Sequence, residues 1–404
     1  MTSPRGFVRD RQRPPLMRIA IVSEHYYPQL GGITEHAYGQ ATELARRGHE
    51  VTLITPRLLV QPRTVDQAPP REEPFEIVRV GRAYPFYVNA SEALLVSAIG
   101  RVFAKRRFDV VHVHNPFGVA LPIVAIMRSR APVTVGTVHS VVPEEYKLLR
   151  LFRRPLQIVF ARLDTRIAVS EAVVDSIQPH FPGLSFEVIP NGVDTNFFSP
   201  ETAPLPQLID GSRNILFVGR FDPRNGLRHM LRAFTLLREG REDVRLVILG
   251  DGPLRGVYQR LVPAALRGDV LFEGRVDRLR PRYLASAEIL CTPCQLASFG
   301  MVLLEAMSAG VPVVASRNSG FERLIENGRQ GFLIDPPDDE REFAAALNLL
   351  LEDLELAGRM GAAGRRLALT NYAWPLIVDR LEELYERLLS ESPGRARAAQ
   401  AARA

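Results

Sequence analysis

The chain has 404 residues, of which 46% are hydrophobic and 24% are charged. This length predicts two or three domains, because a single domain usually spans about 100–200 residues. The composition excludes disordered and fibrous proteins. The formal net charge of +6 favours acidic partners, but it does not choose among nucleic acid, lipid head groups and phosphorylated small molecules.

Part of the positive charge lies near the two ends of the chain, which we interpret as solvated extensions. Their arginines are Arg5, Arg9, Arg11, Arg13, Arg395, Arg397 and Arg403. The rest of the sequence does not interleave aromatic and basic residues as nucleic-acid-binding surfaces do, so we predict no nucleic-acid partner.

The cysteine count and the apolar runs bear on the compartment. Two cysteines, Cys291 and Cys294, cannot form a disulfide framework. The first sixteen residues are rich in arginine and proline and lack the apolar core of a secretory signal. The apolar run from Phe117 to Met127 is shorter than the roughly 18 residues that a membrane span requires. We therefore expect a cytoplasmic protein without a transmembrane segment.

The first half of the chain alternates short β-rich runs with helical patterns, which predicts a parallel sheet covered by helices. The predicted strands are Arg18 to Ser23, Val51 to Thr55, Val110 to His114, Val133 to Val138 and Arg166 to Val169. The predicted helices are Thr34 to Arg47, Glu92 to Arg107 and Ala172 to His180.

The same alternation restarts after a segment rich in proline, from Ser199 to Arg213, which has the composition of a linker. The second set of predicted strands is Ile215 to Val218, Arg245 to Leu249, Val270 to Phe272, Ile289 to Cys291, Val311 to Ala315 and Phe332 to Ile334. A long amphipathic helix from Trp374 to Leu389 closes the pattern.

The predicted fold is therefore α/β, with two doubly wound Rossmann-like domains that face a cleft. Such sheets bind ligands outside the carboxyl ends of their strands, so the cleft is where we expect two substrates to meet. The predicted organisation is a basic extension at 1–16, a first domain at 17–198, a linker at 199–213, a second domain at 214–372, a helix at 373–390 that crosses back to the first domain, and a flexible tail at 391–404.

Two loops before helices have the features of anion-binding sites. Gly31 and Gly32 follow the first strand, where small residues let backbone amides approach a phosphate, although the pair also suits a plain turn. The second loop precedes a helix in the second domain and comprises Ser298, Phe299, Gly300, Met301 and Val302.

Several charged and polar side chains follow predicted strands and therefore point to the cleft. Arg220, with Arg224 beside it, could clamp a diphosphate. Glu305 could accept hydrogen bonds from ribose hydroxyls, or merely complement the dipole of its helix. His139 could contact a substrate hydroxyl or take part in proton transfer.

Two further pairs of residues could suggest metal binding or redox chemistry, and we interpret both pairs as structural. We expect His112 and His114 to lie on opposite faces of their strand, so that they do not form a metal-binding pair. Cys291 and Cys294 end a strand, whereas activated thiolates usually open a helix. We therefore predict neither a metal site nor redox chemistry.

A basic segment from Tyr146 to Leu163 mixes positive charges with leucine, phenylalanine and isoleucine. Its basic residues are Lys147, Arg150, Arg153, Arg154 and Arg162. Such a segment suits docking on an anionic membrane surface, and it equally suits a core helix with a solvated basic face.

Taken in order, these segments resemble the retaining GT-B glycosyltransferases of family four, which include bacterial phosphatidylinositol mannosyltransferases. The resemblance runs from about residue 17 to 390. Its segments are Tyr27-Pro28 with Gly31-Gly32, Arg47 to Val51, Asp109 to His114, Thr137 to His139, Pro190 to Asp194, Val218 to Arg220, Leu249 to Pro253, and Ser298 to Met307.

The resemblance implies a nucleotide-sugar donor held mainly by the second domain and a lipid or glycan acceptor held mainly by the first. It implies transfer with retention of configuration, no metal and no separate cofactor, since the GDP- or UDP-sugar is itself a substrate. By the same resemblance, Gly31 and Gly32 approach the donor diphosphate, Arg220 neutralises it, Glu305 binds the ribose, and His139 contacts the sugar and assists the reaction.

Two positions depart from the family pattern. The family has a glutamate seven residues before the one matched by Glu305 in its Glu-x7-Glu motif, and this chain has Ala297 there. The family also has a lysine where Asn225 precedes Gly226. We expect catalysis to survive with altered sugar recognition; the alternative is a catalytically weakened nucleotide-sugar-binding or membrane-surface protein.

Overall fold

A computed structural model describes residues 15–58, 73–83, 92–116, 120–142 and 153–392. The arginines of both terminal extensions and the first part of the basic segment, up to residue 152, lie outside the described residues. Among the described helices, none combines the length and the apolar character needed to cross a membrane.

The first domain is built on a parallel sheet of seven strands in the order β3-β2-β1-β4-β5-β6-β7. Its strands are β1 (Arg18–Val22), β2 (Glu50–Leu58), β3 (Glu76–Ala83), β4 (Val110–His114), β5 (Val133–Val138), β6 (Thr165–Ala168) and β7 (Glu187–Val188). Its helices are α1 (Gly32–Arg46), α2 (Glu92–Lys105), α3 (Ala120–Arg128), α4 (Arg153–Phe160) and α5 (Glu171–Ile177).

The second domain repeats this arrangement with a parallel sheet of six strands in the order β10-β9-β8-β11-β12-β13. Its strands are β8 (Arg213–Val218), β9 (Val244–Leu249), β10 (Val270–Gly274), β11 (Ile289–Thr292), β12 (Val313–Ser316) and β13 (Gly331–Ile334). Its helices are α6 (Leu227–Arg238), α7 (Arg255–Leu261), α8 (Arg280–Ala285), α9 (Met301–Ser308), α10 (Glu340–Glu352) and α11 (Leu354–Leu367), and α12 (Trp374–Glu391) follows them.

The two-sheet α/β fold that the sequence predicts is confirmed, and two strands were missed. β3 lies at the sheet edge and alternates apolar residues with exposed Glu76 and Arg79, so it lacks the continuous apolar run of a central strand. β7 has only two residues, Glu187 and Val188, which is too short for a periodic signal.

The segment between the two sheets packs against the second domain. Leu205 and Leu208 are buried in its core, and a 3₁₀ turn spans Pro206–Leu208. Ser286 accepts a hydrogen bond from the backbone N–H of Leu205 at 2.8 Å, and the side-chain amide of Asn214 donates to the carbonyl of Leu208 at 2.9 Å. Buried leucines and hydrogen bonds therefore hold the proline-rich segment against the second domain.

Helix α12 leaves the second domain and packs on the first. Its apolar face joins a core formed by β1, α1 and neighbouring strands. Arg47, at the end of α1, forms ion pairs with Asp379 and Glu382 of α12 at 2.7 and 2.6 Å. The chain thus crosses between the domains twice, and the two crossings are paired. Val193, where the chain leaves the first domain, forms a β-bridge with Ala373, where it returns.

Trp374 occupies a gap that two glycines leave open. A Cβ atom on Gly39 of α1 would lie 2.1 Å from Trp374 Cε2, and one on Gly192 would lie 2.6 Å from Trp374 Cδ2. Both distances are far below van der Waals contact. The Asn191-Gly192 pair therefore serves the close approach of the indole ring.

Replacing Gly39 with alanine should lower the free energy of unfolding by about 1–3 kcal/mol or more, because the new methyl group collides with a buried ring. Gly100 of α2 is the matched control, since a Cβ there meets nothing within 4 Å and alanine is the better helix former by about 0.5–1 kcal/mol. Chemical denaturation of both variants measures the difference. A Gly39→Ala variant as stable as Gly100→Ala would contradict this account.

Candidate active site

The carboxyl ends of the two sheets border one cleft, with a cavity volume of about 1420 Å³. Both domains contribute lining residues. The predicted residues that the cleft brings together are Gly31, Gly32, Arg220, Asn225, Gly300, Met301, Val302 and Glu305. This convergence follows from parallel strands, whose carboxyl ends always share one edge of the sheet.

On the first-domain side, the loop after β1 carries Gly31 and Gly32 into the amino end of α1. The hydroxyl of Thr34 donates a hydrogen bond to the carbonyl of Gln29 at 2.7 Å and so fixes this loop. A Cβ atom on Gly32 would lie 3.4 Å from Met301 Cγ of the second domain. The glycine loop thus reaches across the cleft with its backbone.

On the second-domain side, Arg220 follows β8 and is exposed to the cleft. The side-chain amide of Asn225 donates to the carbonyl of Arg220 at 2.8 Å, which holds the loop in place. Gly250 has φ 144°, and a Cβ there would lie 1.8 Å from the carbonyl oxygen of Gly219. Glycine is therefore required where the loops after β8 and β9 meet.

The residues of the loop before α9 that we predict to bind the donor fall into two groups: some line the cleft, and one contacts the first domain. Gly300, Met301 and Val302 line the cleft. The hydroxyl of Ser298 accepts a hydrogen bond from the N–H of Val141 at 2.9 Å, and its carbonyl accepts one from Ser170 at 2.6 Å. The structure therefore engages Ser298 in contacts between the domains.

Phe299, also predicted in this loop, packs edge-to-face on the ring of Tyr372, with 5.8 Å between the ring centroids. The phenylalanine is buried, with 7% of its surface exposed. It supports the loop from behind, at the segment that leads into α12.

Glu305 lies one turn inside α9, and its side chain is 2% exposed. Arg280 Nε lies 3.4 Å from Glu305 Oε2, and Arg280 Nη2 donates to Glu35 Oε1 of the first domain at 2.8 Å. Burial disfavours the charge on Arg280, but the negative charges of Glu305 and Glu35 prevail and raise the pKa of its guanidinium. The sequence patterns did not single out Arg280 or Glu35.

His139 belongs to a buried group of four histidines. Its Nε2 lies 2.9 Å from His114 Nδ1, and its ring is 4.8 Å from that of His36. Burial, reinforced by the neighbouring imidazoles, lowers the pKa of His139 well below its usual value. It is therefore neutral at pH 7 and can exchange hydrogen bonds without carrying a charge.

The expectation that His112 and His114 lie on opposite faces of β4 was wrong. Residues two apart on a strand share a face, and these rings stack with 4.9 Å between their centroids. One nitrogen each from His36, His114 and His139 lies within 4.8 Å of the others, a spacing that a metal ion could use.

Comparisons with known proteins identify the family. Residues 30–197 match Glycosyltransferase Family 4, and residues 203–367 match Glycosyl transferases group 1. The chain is 32% identical over 381 residues to the phosphatidyl-myo-inositol mannosyltransferase of Mycobacterium leprae, covering 92% of this chain and 96% of that protein. The chain belongs to the family-four glycosyltransferases.

A second relative agrees with this assignment, and solved structures share the fold. The GDP-mannose-dependent alpha-(1-6)-phosphatidylinositol monomannoside mannosyltransferase of Mycolicibacterium smegmatis is 28% identical over 383 residues, covering 90% of this chain and 97% of that one. Sucrose-phosphate synthase from Thermosynechococcus elongatus superposes with a TM-score of 0.72 at 21% identity, over 93% of this chain and 100% of that one. The structure of Anabaena Alr3699/HepE in complex with UDP-glucose superposes with a TM-score of 0.72 at 19% identity, over 93% of this chain and 100% of that one. These solved neighbours share the GT-B fold.

Within this glycosyltransferase, the two positions that we expect to depart from the family pattern, Ala297 and Asn225, both line the cleft. The guanidinium of Arg224 pairs instead with Asp222, with 3.3 Å between Nε and Oδ1. Gln295 is exposed, and its side-chain nitrogen lies 3.3 Å from His229 Nε2. Arg224 and Gln295 therefore both contact side chains of the second domain.

The buried histidines of this glycosyltransferase predict an acid-sensitive fold. Burial lowers the pKa of His36 from 6.5 to about 4, so between these values the unfolded chain binds more protons than the folded one. Stability from this group is complete above pH 6.5 and is lost as the pH falls towards 4. His36 alone should account for about 2 kcal/mol of unfolding free energy between pH 7.5 and 4.5.

Urea denaturation at several pH values tests this prediction with His36→Gln, which cannot titrate. The variant should show a shallower pH dependence than the wild type, whatever its absolute stability. Carboxylates titrate in both proteins, so they cancel from the comparison. Parallel pH profiles for the two proteins would refute the assignment.

Proposed function

We propose that this glycosyltransferase moves a mannosyl group from GDP-mannose to a phosphatidylinositol-type lipid acceptor, with retention of anomeric configuration. The observation that carries the proposal is the convergence of Gly31, Gly32, Arg220 and Glu305 on one cleft. The choice of sugar, base and acceptor rests on relatives whose names specify them and that align along more than 90% of their length.

The lining of the cleft suits a nucleoside diphosphate. In our proposal, the backbone at Gly31 and Gly32 and the guanidinium of Arg220 hold the diphosphate from opposite sides. Glu305 accepts hydrogen bonds from the ribose hydroxyls. Each charge-assisted contact of this kind is worth about 1.5–3 kcal/mol.

The reaction breaks the bond between the anomeric carbon and the diphosphate oxygen and forms a bond from that carbon to the acceptor oxygen. The acceptor hydroxyl passes its proton to the departing phosphate oxygen on the same face of the sugar. Arg220 offsets the negative charge that develops on the diphosphate. His139, neutral because it is buried, bonds a sugar hydroxyl and fixes the orientation of the ring. No step in this scheme requires a metal or a separate cofactor.

The acceptor proposal places a membrane beside the first domain. Support comes from α4, where Arg153 and Arg154 are exposed and Ile158 is 61% exposed, while Val159 and Phe160 are buried. Basic and apolar groups together favour an anionic lipid surface. We therefore propose peripheral association with the inner face of the plasma membrane.

Purified protein should transfer mannose from GDP-mannose to phosphatidylinositol in vesicles, and the product should have the α configuration of the donor by NMR. Glu305→Gln should lower kcat/KM by about 10- to 150-fold, because it removes one charge-assisted contact. Charge reversal at Arg153 and Arg154 should reduce vesicle co-sedimentation, whereas reversal at exposed Arg260 and Arg267 of the second domain should not.

Three results would overturn different parts of this proposal. Transfer from UDP-glucose but not from GDP-mannose would reject the donor. A product of inverted configuration would reject retention. If the protein bound the donor but catalysed neither transfer nor slow donor hydrolysis, only the alternative of a nucleotide-sugar-binding protein would remain.

Restoring the lysine at position 225 gives an independent test of the diphosphate site. Asn225→Lys should tighten GDP binding by about 10-fold, since it adds a positive charge beside Arg220 in the cleft. Exposed Arg228, which precedes His229 on α6, provides the control as Arg228→Lys, with unchanged affinity. Calorimetric titration of GDP measures both, and an unchanged or weaker affinity for Asn225→Lys would place the diphosphate elsewhere.

A further inference from the structure

Arg280 joins one carboxylate from each domain at the cleft. Its Nη2 donates to Glu35 Oε1 at 2.8 Å, and its Nε lies 3.4 Å from Glu305 Oε2. The exposed fraction of the side chain is 10% for Arg280, 11% for Glu35 and 2% for Glu305. All three residues also line the cleft. A buried guanidinium therefore connects the two walls of the donor site.

Each member of this triad comes from an element that frames the donor. Glu35 stands in the first turn of α1, directly after the Gly31-Gly32 loop. Arg280 begins α8, and Glu305 belongs to α9. A shift of any one element would therefore alter the contacts of the other two.

The chemistry of the side chain suits a bridging role. A guanidinium presents several N–H groups in one rigid plane and can bind two carboxylates at once, whereas a lysine ammonium is a compact point charge. Arg280 Nε lies 3.4 Å from Glu305 Oε2, so the guanidinium restrains the position of that carboxylate. The direction of the Glu305 carboxylate thus depends on Arg280.

We propose that Arg280 is a positioning residue for the donor: it holds the Glu305 carboxylate towards the donor ribose and ties it, through Glu35, to the glycine loop of the first domain. This inference rests on the proposed function, because it requires that Glu305 bind ribose hydroxyls. Arg280 itself acts through Glu305 and makes no bond in the reaction.

A role limited to holding the domains together has a different signature. Arg323 and Asp175 also form an ion pair between the domains, at 3.3 Å, but their side chains are 51% and 65% exposed and lie outside the cleft lining. Losing that pair removes an interdomain contact without touching Glu305. Arg323→Gln is therefore the matched control.

The test compares GDP with 2′,3′-dideoxy-GDP, which lacks both ribose hydroxyls, by calorimetric titration. Wild-type protein should prefer GDP by about 10- to 150-fold, the range expected for a charge-assisted hydrogen bond. In Arg280→Lys this preference should fall to about threefold or less, since the ammonium cannot hold both carboxylates. Arg323→Gln should keep the wild-type preference.

A second variant covers the case in which Arg280→Lys does not fold. Glu35→Gln keeps the side-chain shape and the contact between Arg280 and Glu305, but it removes the charge that anchors the guanidinium. Its preference for GDP over the dideoxy nucleotide should be lower than that of the wild type. Folded variants that both retain the wild-type preference would overturn the positioning role.

The same titrations separate this inference from the proposed function. Wild-type protein that binds neither GDP nor UDP would reject the donor site itself. If UDP binds in place of GDP, the pair UDP and 2′,3′-dideoxy-UDP gives the same comparison. Wild-type binding that is indifferent to the ribose hydroxyls would overturn the role of Arg280 while leaving a nucleotide site in place.

Discussion

The architecture depends on the pairing of the two chain crossings between the domains. The N–H of Val193, on the way out of the first domain, donates to the carbonyl of Tyr372, and the N–H of Trp374 donates to the carbonyl of Val193 on the way back. Trp374 then fills the space that Gly39 and Gly192 leave. The two crossings therefore lie side by side, and residues of both domains line the cleft.

The distribution of charge inside that cleft differs from what the net charge suggests. The total of +6 includes the arginines of the two terminal extensions. Within the described cleft, Arg220 is exposed to a ligand, whereas Arg280 is committed to Glu35 and Glu305. Asn225 and Ala297 line the same cleft and add no charge to it.

The histidine group shows how the first domain contributes polar groups without charge. Burial keeps His36, His112, His114 and His139 neutral at pH 7. The side-chain amide of Gln40 donates to His112 Nδ1 at 2.9 Å, so the ring proton lies on Nε2, which faces the hydroxyl of Thr137 at 2.6 Å. These bonds fix the ring orientations inside the first domain, and the buried imidazoles make the fold sensitive to acid.

The sequence by itself determined the two parallel sheets, most strand positions and the presence of Gly31, Gly32, Arg220 and Glu305 in the cleft. Apolar runs and strand-end residues are local signals, and parallel strands bring their carboxyl ends to one edge wherever they form. The tertiary structure alone decided which side chains meet. Glu35 and Arg280 are 245 positions apart, Ser298 bonds Val141 and Ser170 across the domains, and Trp374 meets Gly39. No periodicity encodes such contacts, because each depends on how the two finished domains pack together.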